Sequence, residues 1–265
     1  MPETSPIQHL LKIMEDLRDP ENGCQWNKNQ TFETIAQYTI EEAYEVVEAI
    51  KQKNHKSLKD ELGDLLFQVV FYAQMSKEIG EFNFNDIVET IIQKMIRRHP
   101  NVFSFGPNIG FEDQTIVWEN QKAKERLSRN NQSGVLSGVA LALPALIRAQ
   151  KLQKRAARVG FDWDAIEPVI AKIKEEIEEV KEALDDPENS NRIQEEIGDL
   201  LFSCVNLARH SRVDAEQALM AGNEKFERRF RGIEQKLRAK EKSIEDCSLE
   251  ELENYWNAVK SREKF

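Results

Sequence analysis

The stretches "EEIEEV" at residues 175–180 and "EEIGDLLF" at 195–202 repeat, in the same order, "EEAYEV" at 41–46 and "ELGDLL" at 61–66. Glu42, Glu45, Glu61 and Asp64 recur as Glu176, Glu179, Glu196 and Asp199. The offset is 134 for the first pair and 135 for the second, so one residue separates the two copies in register. Each time the acids are pressed against an apolar run.

Other landmarks keep step. Trp26 matches Trp163, "KMIRRH" at 94–99 matches "KFERRF" at 225–230, and "WENQK" at 118–122 matches "WNAVK" at 256–260. Each half spells Trp, EExxE, ExxD, KxxRR, Trp. Chance accounts for one such match but not for five in order, so the chain is two copies of one unit. The stretch "SRNNQSGVLSGVALALP" at 128–144 is rich in Ser, Asn and Gly and ends in Pro, as a linker does. The expected division is residues 1–127, a linker at 128–144, and 145–265.

Within each unit the apolar spacing is helical. Ala43, Val46, Val47 and Ile50 form one stripe, and Leu58, Leu62, Leu65, Leu66, Val69 and Ala73 form another. "KQKNHKS" at 51–57 separates them, and "DDPENS" at 185–190 does the same in the second half, where its Pro makes a turn. The fold expected is all-α, each unit a helical hairpin with further helices before and after it.

Helical phase places the acids. At about 100° per residue, each acid pair lies on the same flank of its own apolar stripe. A short turn forces the two helices antiparallel, and on antiparallel helices those flanks meet on one side of the interface. Four carboxylates gathered there repel one another. They need protonation, basic partners or a metal. Oxygen ligands without Cys or His favour Mg²⁺ or Mn²⁺ over Zn²⁺. A di-iron carboxylate bundle would need ExxH on two helices. Three residues before His9, His55, His99 and His210 stand Pro6, Gln52, Ile96 and Leu207, so that class is excluded. Gly63 and Gly198 sit inside the acid motifs at a cost of about 1 kcal/mol each in mid-helix, which predicts a close approach there.

Mg²⁺ held by carboxylates commonly also binds phosphates, and phosphates want Lys and Arg. Lys225, Arg228 and Arg229, with Lys94, Arg97 and Arg98 in the first half, are the candidates. Trp256 and Trp118 are candidates for stacking on a base.

With these residues in view, the chain closely resembles the MazG family of the all-α nucleoside triphosphate pyrophosphatases, through EExxE, ExxD, "GDLLF" and KxxRR. The likeness extends over essentially the whole chain. It implies two tandem four-helix-bundle units completed by dimerisation, and Mg²⁺-dependent hydrolysis of NTPs and dNTPs to monophosphate and pyrophosphate. It implies that Glu176, Glu179, Glu196 and Asp199 hold the metal and that Glu175 or Glu195 serves as general base. It implies that Lys225, Arg228 and Arg229 hold phosphates. Glu42, Glu45, Glu61 and Asp64 are the equivalent first-half set. Lys172 and Arg192 stand near the second set of acids where the first half has Tyr38 and about Ser57, which favours the second half as the catalytic one. Narrower dUTP or dCTP pyrophosphatases, and a helical adaptor that binds a basic partner, are the alternatives.

Composition bounds the rest. A net charge of −10 argues against non-specific nucleic-acid binding. The three cysteines, Cys24, Cys204 and Cys247, form no CxxC pair and are expected to be free thiols. No apolar run approaches the ~20 residues of a membrane span, and the N-terminus lacks the pattern of a signal peptide. A cytoplasmic protein is expected.

Overall fold

A computed structural model describes residues 5–103, 110, 117, 121, 134–185 and 189–263. No strand occurs among them. The chain divides into two compact units, Met1–Lys124 and Glu125–Phe265.

The first unit contains α1 (Pro6–Leu17), the short α2 (Gln25–Lys28), α3 (Phe32–Lys51), α4 (His55–Glu78), α5 (Phe84–Arg98) and the short α6 (Pro100–Phe103). Helices α3 and α4 pack along each other as the expected hairpin. Their boundaries are chemically marked. The Thr31 side chain accepts the Thr34 amide to start α3, and Asn54 accepts the Ser57 amide to start α4. Lys53, at φ 54°, takes the left-handed backbone that the tight turn between them requires. Met14, Ile35, Val70, Phe71 and Met75 form the core of this unit, all with 3% exposure or less. Arg18 ties its edge together: it pairs with Glu78 at 2.7 Å, donates to the Asn27 carbonyl at 2.6 Å, and lies over the Phe71 ring at 5.3 Å.

The second unit contains α7 (Ala145–Ala157), α8 (Ile166–Leu184), α9 (Ser190–His210), α10 (Ala215–Arg238) and α11 (Leu249–Arg262). Helices α8 and α9 form its hairpin, α7 packs on α9 and α10, and α10 packs on α11. Asn189, Asp214 and Ser248 cap α9, α10 and α11 through their side chains. Pro187, expected in the hairpin turn, lies outside the described residues, but α8 ends at Leu184 and α9 begins at Ser190 on either side of it. Part of the stretch expected as a linker is anchored: Arg155 donates to the carbonyls of Leu136, Ser137 and Gly138. A guanidinium offers several donors in one fork, and three successive carbonyls satisfy it.

The expectation for the two mid-helix glycines is corrected within the chain. A Cβ built at Gly63 or at Gly198 meets nothing within 4 Å. No other described residue comes within 4 Å of these positions. The surface around Gly198 is open and apolar, with Ile197 43% and Leu201 53% exposed.

Candidate active site

The register of the hairpin decides what meets. On α8 and α9, carboxylate oxygens of Glu176, Glu196 and Asp199 all lie within 4.8 Å of one another. Glu179 joins them electrostatically: burial pushes its carboxyl up, and the neighbouring Glu176 and Glu196 carboxylates add to this. Glu176 is the interior member, 3% exposed. One of its oxygens is 2.9 Å from Lys172 Nζ, while the other is buried with no hydrogen-bond partner. A buried carboxylate oxygen left without a partner is costly, and a divalent cation among three convergent carboxylates is what would satisfy it. The donor set therefore fits a hard metal ion.

The two cations that distinguish the second half both reach this cluster. Lys172 bridges Glu175 at 2.8 Å and Glu176, and those hydrogen bonds hold its ammonium well above the usual lysine range. Arg192 lies 3.7 Å from Glu196 and 3.5 Å from Glu182. Glu195 is exposed on α9.

In the first unit, Glu42, Glu45 and Glu61 gather within the same 4.8 Å. Burial pushes the Glu42 carboxyl up, and the charges of Asp64, Glu45 and Glu61 push it further. Burial and the neighbouring Glu61 do the same to Glu45. Ser57, aligned with Arg192, donates only a neutral hydrogen bond to Glu61 at 3.2 Å. Tyr38, aligned with Lys172, packs edge-on against Trp26 and belongs to the core.

The KxxRR cations go elsewhere. Arg228 and Arg229 on α10 pair with Glu263 at 2.9 and 2.8 Å, and Arg229 stacks over Trp256 at 5.4 Å. Trp256 also packs against Phe226 at 5.5 Å, which ties it to the contact between α10 and α11. Lys225 is exposed. Lys94, Arg97 and Arg98 lie on the C-terminal half of α5, and Trp118 lies outside the described residues.

Beside the second acid cluster is a cavity of about 580 Å³, within the range of small-ligand sites. Lys172, Glu176 and Asp199 form one part of its lining, and Leu152, Phe161, Trp163 and Phe202 give it apolar surface. Its polar wall is Gln153, Asp162, Asn206 and Arg209, none of which the motifs single out. Gln153 donates through Nε2 to the Phe202 carbonyl at 2.8 Å, and its Oε1 is buried without a partner. Arg209 grips Asp162 with both terminal nitrogens and Asn206 Oδ1 with Nε at 3.0 Å. That guanidinium, and His210 at 3.0 Å, hold the Asp162 carboxyl down at about 2. The signal for this wall is a polar residue in an apolar stripe: Asn206 and His210 stand where the aligned positions of α4 are Phe71 and Met75.

Antiparallel helices that hold carboxylates level beside a nucleoside-sized cavity define the class: an all-α protein with an acid-cluster site, present in two tandem copies. The description "MazG nucleotide pyrophosphohydrolase domain" matches the chain twice, over residues 30–103 and 165–232. The "Nucleoside triphosphate pyrophosphohydrolase" of Escherichia coli (strain K12) is 50% identical over 258 residues, covering 97% of this chain and 98% of the relative. The "Nucleoside triphosphate pyrophosphohydrolase/pyrophosphatase MazG" of Thermotoga maritima is 42% identical over 254 residues, covering 96% and 95%. The "Uncharacterized protein YabN" of Bacillus subtilis is 39% identical over 257 residues, covering 95% of this chain and 51% of that one. The chain belongs to the MazG nucleotide pyrophosphohydrolase family.

Proposed function

We propose that the chain hydrolyses nucleoside triphosphates to monophosphate and pyrophosphate with Mg²⁺, or Mn²⁺ in its place, and that the second unit carries the turnover. The observation that carries this reading is Glu176: a buried carboxylate with one oxygen unpartnered, in a convergent acid triplet that opens onto a nucleoside-sized cavity. Glu176, Glu179, Glu196 and Asp199 would hold the metal, which when bound supplies charge neutralisation for the triphosphate and a more acidic water. Lys172 and Arg192, already on the acids, are placed to turn toward phosphate oxygens once a cation takes over the carboxylates. Of the two candidate bases, Glu175 is paired with Lys172, whereas no described residue pairs with Glu195, so Glu195 is the better placed to take a proton from the attacking water.

The open apolar surface at Ile197 and Leu201 supports a homodimer in which a second copy covers α9. In such a dimer Arg228 and Arg229 would reach phosphate by exchanging Glu263, and the exposed Lys225 would reach it directly. A cytoplasmic location accords with nucleotide substrates, and no helix of the described residues is long and apolar enough to cross a membrane. The expected linker at 128–144 begins just past the division after Lys124, and its described part is held by Arg155 as part of the second unit.

Pyrophosphate release from a panel of NTPs and dNTPs with and without Mg²⁺ tests the reading. Changing Glu176 and Glu179 together to Ala should abolish release, while changing Glu42 and Glu45 to Ala should leave most of it. Full activity in the first variant would refute the assignment, and no release from any nucleotide by the wild type would favour a non-enzymatic adaptor.

A further inference from the structure

We propose that the cavity beside the second acid cluster seats the nucleotide base, and that Asn206 reads the base as a hydrogen-bond donor locked in place by Arg209 and Asp162. This rests on the reading of the site as a nucleoside triphosphate site. Asn206 is 8% exposed, and it lines the cavity. Arg209 Nε and Nη2 donate to Asn206 Oδ1 at 3.0 and 2.7 Å. A guanidinium only donates, so Oδ1 must face it and Nδ2 must face away. No described residue accepts from Nδ2. A buried amide donor in a ligand-sized cavity, with its acceptor end already taken, is a donor presented to a ligand.

The lock is itself held. Asp162 takes both terminal nitrogens of Arg209, so the guanidinium cannot swing without breaking a bidentate ion pair. Distance along α9 fits the assignment. Asn206 follows Asp199 by seven residues, on the same helical face and about 10.5 Å further along the axis. Phosphates at the acid cluster would leave ribose and base to span that interval. Trp163 and Phe202, both 43% exposed at the cavity, offer faces for stacking. Every base carries a ring nitrogen or carbonyl oxygen that a single N–H can reach, so this donor suits nucleobases as a class and still ranks them by where the acceptor lies. The first unit has no such reader, because Phe71 fills the aligned position, 1% exposed and covered by Arg18.

The test compares kcat/KM for ATP, GTP, CTP and UTP with that for ribose 5′-triphosphate, which lacks a base. The wild type should prefer the best base-bearing substrate over ribose 5′-triphosphate by about tenfold or more. Asn206→Asp keeps the shape and the bond to Arg209 but offers an acceptor in place of a donor. It should change the ratios among the four nucleotides by about tenfold. Arg209→Met, which frees the amide, should compress those ratios toward unity. Equal wild-type rates with and without a base would overturn the proposal. So would Asn206→Asp lowering all five substrates by one common factor, since a purely structural role predicts that. A wild type that turns over no triphosphate would instead overturn the underlying reading of the site.

Discussion

Asp162→Asn removes the charge that anchors the polar wall of the second unit, and its cost can be worked from the geometry. Arg209 and His210 hold the Asp162 carboxyl at about 2, against an ordinary value of 3.8. That gap corresponds to about 2 kcal/mol of folding free energy at neutral pH. The side chain is 26% exposed, so solvent screening makes this an upper figure. The sign follows from the direction. A carboxylate whose folded value is depressed stabilises the fold above its unfolded value and loses that contribution as pH falls through the folded one. The window is therefore pH 4 to 2. Urea unfolding at pH 7, 5 and 3 is the assay, with wild type and variant compared at each pH. The difference should be about 1–2 kcal/mol and equal at pH 7 and 5, then shrink at pH 3, where the carboxylate of the unfolded wild type is already protonated while the folded one is not. A difference near zero at pH 7, or one that grows in acid, would refute the anchoring role.

The other expectations concern the acid clusters and the open glycines. Glu42 is pushed up by burial and by its acidic neighbours, so its ionised form opposes folding at neutral pH and this strain is relieved as pH falls through its raised value. Glu42→Gln should therefore raise the metal-free midpoint at pH 7, with a smaller gain at pH 4; a lower midpoint at pH 7 would show that the carboxylate has a partner. Gly63→Ala and Gly198→Ala should each stabilise the free chain by about 1 kcal/mol, because a Cβ meets nothing there. A thermal scan checks this, and if a second copy docks at Gly198 that variant alone should weaken the dimer measured by light scattering.

Much of this was legible because repetition and helical phase are properties of sequence. The two acid motifs, the hairpins that carry them and the gathering of Glu176, Glu196 and Asp199 follow from 3.6-residue periodicity and a short turn. The extra cations at Lys172 and Arg192 could be found by aligning the halves. The polar wall could not, since Asp162, Gln153 and Arg209 come from a loop and two helices, separated by up to 56 positions in sequence. Only packing brings them together. Helix phase also says nothing about which partner a long cation selects, so Arg228 and Arg229 settle on Glu263 at the end of α11. The glycines misled for a related reason: a mid-helix Gly signals that space is left open, and among the described residues nothing enters it.

The two copies differ less in their acids than in what lies behind them. Both hairpins bring three carboxylates within 4.8 Å, so the acid motif alone cannot explain a division of labour. Behind the first cluster, Met14, Phe71 and Met75 close the bundle into a dry core. Behind the second, Asn206 and His210 occupy the positions aligned with Phe71 and Met75, and the space is a cavity of about 580 Å³ with two buried acceptors, on Glu176 and Gln153, unpaired. Each apolar residue buried in the first unit adds roughly 1.5–3 kcal/mol to its stability. The second unit forgoes that at the same depth and keeps polar groups that only a ligand would complete. A unit under selection for stability alone would fill such a cavity, as the first unit has. The persistence of the opening in one copy beside carboxylates shared by both is a physical reason to place substrate there.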